Sequence, residues 1–326
     1  MKHFLSCDWG TSSFRIRLVD AESGKVLTEE KSDQGIAVIF NLWSGSGNLI
    51  EEKKVSFYLN IVQQHIKRIE KKINYSLQGV KLIISGMASS SLGFIDIPYS
   101  SIPLLVDGSG VQTAFIAAGK DFQHDVLVIS GIKSDEDVIR GEETQLIGCI
   151  EPLAFIKNEW YIFPGTHSKH ISVKDNKVVE FKTYMTGEIF GLLSQKSILK
   201  SAVEFDPEPE STLDLSSFIK GVKEARSSNI LNAIFKVRTN QLFKLMTNRE
   251  NFNYLSGLLI GTELNDLKTI DADTINLVCC SNLEIYYRTA LQETGISNIK
   301  LFPPAWVDES AVRGHHKIGK QLKILA

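Results

Sequence analysis

Two stretches of this sequence place glycine and small hydroxyl residues where a strand has to turn. In DWGTSS an apolar run stops at the carboxylate of Asp8, and Trp9, Gly10, Thr11, Ser12 and Ser13 follow. In PGTHSK the turn is built from Pro164, Gly165, Thr166, His167, Ser168 and Lys169. Small residues at a hairpin turn let the backbone come close to a ligand. The amides and hydroxyls of Thr11, Ser12 and Ser13 suit phosphate oxygens. Asp8, at a strand end, suits Mg2+ held through water, because that ion keeps much of its hydration shell. Taken alone, the first stretch reads equally well as an ordinary β-hairpin with an exposed Asp. The second turn shifts the balance: two phosphate-sized turns, one per half, can close on a nucleotide from both sides. Neither turn has the Gly-x-x-x-x-Gly-Lys-Ser/Thr spacing of a P-loop.

A third stretch, RGEETQLIG, opens a helix with two adjacent carboxylates, Glu142 and Glu143, just after Arg140. The helix dipole favours acids there by about 0.3–1 kcal/mol, which by itself accounts for both. The alternative is a positioned proton acceptor. Consecutive helical residues point about 100° apart, so only one of the two can face a reacting group.

The elements that position these residues alternate in type. Residues 3–7, 14–20 and 25–31 read as three short strands parted by turns. Residues 51–73 carry Val55, Leu59, Val62, Ile66, Ile69 and Ile73 at helical spacing. VKLIISGM and DVLVISGI are continuous apolar runs ending in Ser-Gly, as buried parallel strands do. EWYIFPGTHSKHISV followed by KVVEFKTYM repeats the opening strand–turn–strand pattern. A largely helical stretch runs from about 187 to 268, with PEPE at 207–210 as its one obvious loop. TINLVCCSNLEIYYRTAL reads as strand, turn and helix. No Gly-, Ser- or Pro-rich linker parts the halves, which predicts close packing.

Composition narrows the class. The chain has 326 residues, 43% hydrophobic and 23% charged, enough for one large or two medium packed domains. Its formal net charge of −2, with no basic block, argues against nucleic-acid binding by charge. No apolar stretch approaches the roughly 18 residues of a membrane span, and no signal peptide is expected. Cys7, Cys149, Cys279 and Cys280 show no metal or redox spacing, which suits a reducing cytoplasm.

DWGTSS, ISGMASSSLG, RGEETQLIG, PGTHSK, MTGE and LSGLLIGTEL, in that order to about Leu264, resemble the 2-dehydro-3-deoxygalactonokinases. DWGTSS is shared across the actin-like sugar kinases, whereas RGEETQLIG followed by PGTHSK is far more specific. The resemblance implies an α/β fold with two ribonuclease-H-like (actin-like ATPase) domains flanking a central cleft. On this sequence they divide as 1–140, with the first phosphate turn and sugar loops, and 141–326, with the second phosphate turn and adenosine site. It implies ATP-dependent phosphorylation of the 6-hydroxyl of 2-dehydro-3-deoxy-D-galactonate in galactonate breakdown.

Residue by residue, Asp8, Gly10, Thr11, Ser12 and Ser13 look like the first phosphate motif, with Asp8 near Mg2+. Gly165 and Thr166 look like the second. Related sugar kinases place an acidic catalytic residue where Glu142 and Glu143 stand, and Glu143 is slightly favoured. Lys169 reads either as a γ-phosphate contact or as a solvated turn residue. His167 reads more readily as a turn residue than as a substrate contact. Arg140 is the candidate partner for the substrate carboxylate, against a structural ion pair. Ser85, Gly86 and Met87 would line the sugar side, although Met87 reads as well as core packing. Cys280 and Ser281 fall where the superfamily usually has a glycine-containing turn under the adenosine. The Cys280 side chain is therefore expected to displace the adenine or weaken its binding, with Ser281 and Asn282 capping the next helix.

Two other readings compete: a non-catalytic sensor of the same fold that binds sugar acid or nucleotide, and a phosphatase or polyphosphate hydrolase of the superfold. A kinase of a related sugar acid, such as the gluconate-derived epimer, is a narrower variant of the first reading. An Hsp70-like chaperone is not expected, with no peptide-binding domain after Ala326. The sequence is silent on oligomeric state, and a homodimer is left open.

Overall fold

In the computed structural model the described residues are 2–45, 47, 51–151, 155–204 and 215–325, without the side chains of Glu51 and Glu52. The PEPE loop lies outside them. By packing, the chain divides into two units: Met1–Ile156 with Lys174–Glu180 and Ala305–Ala326, and Lys157–Val173 with Phe181–Pro304.

The first unit is built on a six-stranded sheet. Its strands are β1 (His3–Trp9), β2 (Phe14–Asp20), β3 (Val26–Ser32), β4 (Leu82–Gly86), β7 (Thr113–Ile116) and β8 (Val126–Ile129). They lie in the order β3-β2-β1-β4-β8-β7. β1 and β2 form the expected hairpin, with Trp9 opposite Phe14. β4 runs parallel to both β1 and β8, and both apolar Ser-Gly runs are buried as expected. Helices α1 (Ile36–Gly45) and α2 (Glu51–Ile73) supply Ile36, Ile39, Tyr58, Val62, Ile66 and Ile69 to the core on this sheet. α3 (Glu142–Cys149) and α10 (Ser310–Gln321) pack together, and α10 also meets β1 and β4. The short strands β5 (Ser100–Ser101), β9 (Ile132–Lys133) and β10 (Val138–Ile139) make a small separate sheet.

The second large sheet repeats the first. Its strands are β11 (Asn158–Phe163), β12 (Ser168–Lys174), β13 (Lys177–Tyr184), β14 (Thr274–Leu277) and β15 (Ile299–Leu301), in the order β15-β14-β11-β12-β13, with β6 (Leu104–Leu105) beyond β13. β11 is parallel to β14, and β14 to β15. In each sheet three consecutive strands lie side by side and two crossover strands continue from the first of them. This is the ribonuclease-H-like order that the resemblance implies. Around it stand α4 (Thr186–Lys196), α5 (Ser216–Glu224), α6 (Ile230–Leu242), α7 (Asn248–Leu264) and α8 (Ser281–Glu293), with the short α9 (Pro304–Asp308) leading into α10. Thr247 and Glu250 close a capping box at the start of α7.

A single cut at 140/141 is not how these units divide. Residues 141–156 and the C-terminal helix both belong with the first unit, because α3 and α10 meet at backbone contact. A Cβ on Gly148 would lie 1.8 Å from the Ser310 carbonyl oxygen, and one on Gly314 would lie 2.0 Å from that of Thr144. The second unit uses the same device between α5 and α7: Gly221 would meet the Tyr254 oxygen at 2.1 Å, and Gly257 that of Phe218 at 2.0 Å.

These crossings generate a stability prediction. Gly314→Ala and Gly257→Ala should each cost at least about 1–3 kcal/mol, since backbone cannot yield as a side chain can. Gly191→Ala, within α4 and with nothing near its Cβ position, should instead stabilise by about 0.5–1 kcal/mol. Urea unfolding of the three variants checks the ranking.

Candidate functional site

In the first unit the ends of β1 and β4 meet the start of α3 with no side chain between them. Gly86 has φ +87°, and a Cβ there would sit 2.7 Å from the Trp9 carbonyl oxygen and 3.4 Å from Asp8 Oδ1. Gly141 has φ +111°, and its Cβ would sit 3.4 Å from Gly86 Cα. Both conformations favour glycine. Asp8 pairs in register with Ser85 on β4 and Arg15 on β2. Burial pushes the Asp8 carboxyl above the usual carboxylate range. Arg15 pulls against that shift, and the negative charge of Glu142 adds to it. Ser85 Oγ is fully buried beside Asp8 without a hydrogen-bond partner among the described residues.

The two glutamates part as helix geometry requires. Glu143 turns inward and is 1% exposed. Its Oε2 accepts the Gly141 amide at 2.7 Å, and its Oε1 accepts the Thr144 hydroxyl at 3.0 Å. Burial, helped by Glu142, pushes its pKa up to about 8. Glu142 is half-buried and close enough to Asp8 for the two charges to act on each other. The sequence preference for Glu143 rested on motif position. Geometry gives that residue a capping role and leaves Glu142 as the carboxylate beside Asp8.

The turn at 10–13 is closed by the Gly10 amide donating to the Ser13 carbonyl at 2.9 Å. The Ile36 and Ala37 amides, at the start of α1, donate to the Gly10 and Thr11 carbonyls. The carbonyls are thereby tied down, while Thr11, Ser12 and Ser13 remain exposed. Arg140 lies 4.1 Å over the Tyr99 ring and donates to the carbonyl and hydroxyl of Ser89. It makes no ion pair among the described residues, so the structural alternative to a substrate role is a cation–π and hydrogen-bonded clamp. Met87 packs against the core of the first unit.

The turn at 164–167 in the second unit is braced from α4. The Glu188 amide donates to the Thr166 carbonyl, and a Cβ on Gly187 would lie 2.6 Å from the Gly165 oxygen. Thr166 is exposed; His167 bonds Glu188 through Nε2 at 2.5 Å. Lys169 is only 7% exposed, and its Nζ donates back to the His167 carbonyl, so it is not a solvated turn residue. Behind the turn sits Glu263, buried on α7. It accepts from Ser168 (2.7 Å), His170 (2.8 Å), Thr186 (2.5 Å) and Tyr287 (2.8 Å). Burial alone would raise its pKa, but these bonds outweigh it and hold the carboxyl below its ordinary value. Glu263 lies within LSGLLIGTEL, but no sequence reading gave it a role. A carboxylate in an otherwise apolar helix run was the available signal.

Cys280 is exposed and stands at the N-cap of α8 with φ −69° and ψ 155°. Any residue adopts that backbone, so the position does not demand glycine. Its side chain gives no capping bond. Ser281 does not cap either, since it is already the first helical residue. Ser85, Gly86, Asp8 and the acidic pair are thus brought together in one unit, and Gly165, Thr166, His167 and Lys169 share one turn in the other.

The model of the 2-keto-3-deoxy-galactonokinase family matches residues 8–312. A probable 2-dehydro-3-deoxygalactonokinase of Rhizobium meliloti (strain 1021) is 30% identical over 305 residues, covering 90% of each chain. The 2-dehydro-3-deoxygalactonokinase of Escherichia coli (strain K12) is 30% identical over 221 residues, 66% of this chain and 71% of its own. A Sinorhizobium meliloti crystal structure assigned to the same activity superposes with TM-score 0.81 at 26% identity, over 98% of this chain and 99% of that one. The component A of Acidaminococcus fermentans (R)-2-hydroxyglutaryl-CoA dehydratase shares the fold alone, at TM-score 0.52 and 11% identity, over 99% of this chain and 100% of its own.

Two predictions follow from the geometry. Folded Glu143 keeps its proton up to about 8, whereas an unfolded glutamate releases it near about 4.3. Between those values the folded state binds more protons, so stability falls as pH rises. Glu143→Gln should therefore gain stability over the wild type from pH 5 to pH 8, read by urea titration at each pH. An offset that does not change with pH would refute the inward, protonated carboxyl. Separately, Cys280→Ser places a capping oxygen at the start of α8 and should stabilise by about 0.5–1 kcal/mol in thermal melts.

Proposed function

We propose that this chain, which belongs to the 2-keto-3-deoxy-galactonokinase family, phosphorylates 2-dehydro-3-deoxy-D-galactonate with ATP at the 6-hydroxyl. Sugar acid kinase activity goes with the family, and galactonate breakdown fits it. The observation that carries the residue roles is the split of the acidic pair, with Glu142 beside Asp8 and Glu143 turned in to its own helix start.

Phosphoryl transfer passes through a loose transition state, so placement and charge matter more than strong base chemistry. Glu142 orients the sugar hydroxyl and accepts its proton late. Thr11, Ser12 and Ser13 offer exposed donors to phosphate oxygens. In the second unit the Gly165–Thr166 backbone does the same, and Lys169 serves by fixing the turn rather than by reaching outward. Arg140, held over the Tyr99 ring, takes the substrate carboxylate. Ser85 and Gly86 border the sugar, and Ser281, with Cys280 before it, borders the adenosine.

Mg2+ fits the donors present. Asp8 and Glu142 are hard oxygen ligands, and this ion needs only one or two carboxylates beside water and phosphate oxygens. Burial raises the Asp8 carboxyl and Glu142 adds to the shift, and a cation held there would oppose both. When bound, the ion offsets charge on the β- and γ-phosphates. Among the described residues no helix is long and apolar enough to cross a membrane, and the four cysteines are free. A cytoplasmic enzyme is the setting this reading takes.

The test is an ATP-consumption assay over a panel of sugar acids that includes the gluconate-derived epimer. Wild type should turn over the galactonate-derived acid best. Glu142→Gln should lower kcat by about 10² or more with both KM values nearly kept, and Glu143→Gln should cost far less. The reverse ranking would return the acceptor role to Glu143. If neither variant loses more than about tenfold, the pair serves only the helix dipole.

A further inference from the structure

We propose that the first unit carries a second binding pocket, beside α10, for a small phosphorylated polyol. A cavity of about 960 Å³ opens between α10, the turn at 23–25, residues 105–107 and the segment after α3. That is within the size range of small-molecule sites. Every lining residue belongs to the first unit, and none belongs to the acidic corner. The place is also distinct along the sheet. His316 of α10 stacks on Phe4, near the start of β1, whereas Asp8 lies about 13 Å further along that strand.

The lining has an unusual charge arrangement. Lys25, Arg313, Lys317 and Lys320 all face the cavity, and among the described residues none of them forms an ion pair. The hydrogen bonds of three go to backbone carbonyls instead. Arg313 Nε donates to Gly148 at 3.0 Å, Lys317 Nζ to Ile147 at 2.7 Å and also to Ile150, and Lys320 Nζ to Glu22 at 3.1 Å. A carbonyl is a dipole and does not neutralise a cation, and Arg313 also lies over the Trp306 ring, so the four cations outnumber the lining carboxylates Asp107, Glu151 and Glu309 by one around a concavity. Burial and the neighbouring Arg313 push Lys317 down to about 8, the strain that a bound anion would remove. Arginine and lysine together are the usual partners of phosphate. Three carboxylates share the lining, and they suit hydroxyl donors. A molecule with a phosphate at one end and hydroxyls at the other satisfies both. The pocket also borders the end of α3 opposite Glu142, since Arg313 and Lys317 hold the last carbonyls of that helix.

The test is calorimetric titration of the full chain with glycerol 3-phosphate, and separately with glycerol and with inorganic phosphate. One molecule of glycerol 3-phosphate per chain is expected, bound at least about tenfold tighter than either of the others. The double variant Lys25→Glu/Lys320→Glu, at exposed positions, should weaken it by about tenfold or more, while its melting temperature and its KM for the sugar acid stay as in wild type. Absence of heat up to about 10 mM probe would overturn the pocket. So would an affinity unchanged in the double variant, or displacement of the probe by ATP or sugar acid, which would place it in the substrate site.

Discussion

The site in the first unit depends on a close approach of backbone to backbone. The end of β1, the end of β4 and the start of α3 meet at Trp9, Gly86 and Gly141, and each glycine has a positive φ. A single Cβ at Gly86 would enter the Trp9 carbonyl. Because nothing intervenes, Asp8 and Glu142 come within reach of each other's charge. Burial raises the Asp8 carboxyl, Arg15 and Arg17 oppose that shift, and the charge of Glu142 adds to it.

The second unit solves the same positioning problem with polar chemistry. Its phosphate-sized turn is followed directly by Ser168 and His170, and both donate to the buried carboxylate of Glu263. Thr186 at the start of α4 and Tyr287 of α8 donate to it as well. One side chain thus ties α7, β12, α4 and α8 to a common point. A fully satisfied buried network is costly to leave half-made, which makes it specific as well as stable. Glycine serves here too, since Gly187 lets α4 touch the Gly165 carbonyl.

Glu142 and Glu143 show how adjacent positions of one helix separate in environment. The inward residue spends its oxygens on the Gly141 amide and the Thr144 hydroxyl, and burial keeps it protonated up to about 8. The outward residue is half-buried and acts on Asp8. Identical side chains in adjacent positions differ because they leave the helix in different directions.

Local patterns determined the elements. The 51–73 helix agrees with α2 to the residue, and the three opening strands agree to within two residues, because periodicity and turn residues act over a few neighbours. The order of motifs determined the family and the repeated hairpin. Other features lay beyond sequence. α1 was missed because Ile36–Gly45 is an apolar run with no clear period. α10 was missed, and the division of the chain with it, because its place is fixed by glycine contacts with a helix more than 160 residues earlier. Lys169 could not be read as buried, nor Cys280 as an ordinary N-cap, from residue type alone. Which of Glu142 and Glu143 turns inward also needed the tertiary structure. Spacing says that the two part, but the side each takes depends on where the helix axis is set against β1 and β4, and long-range packing sets that axis.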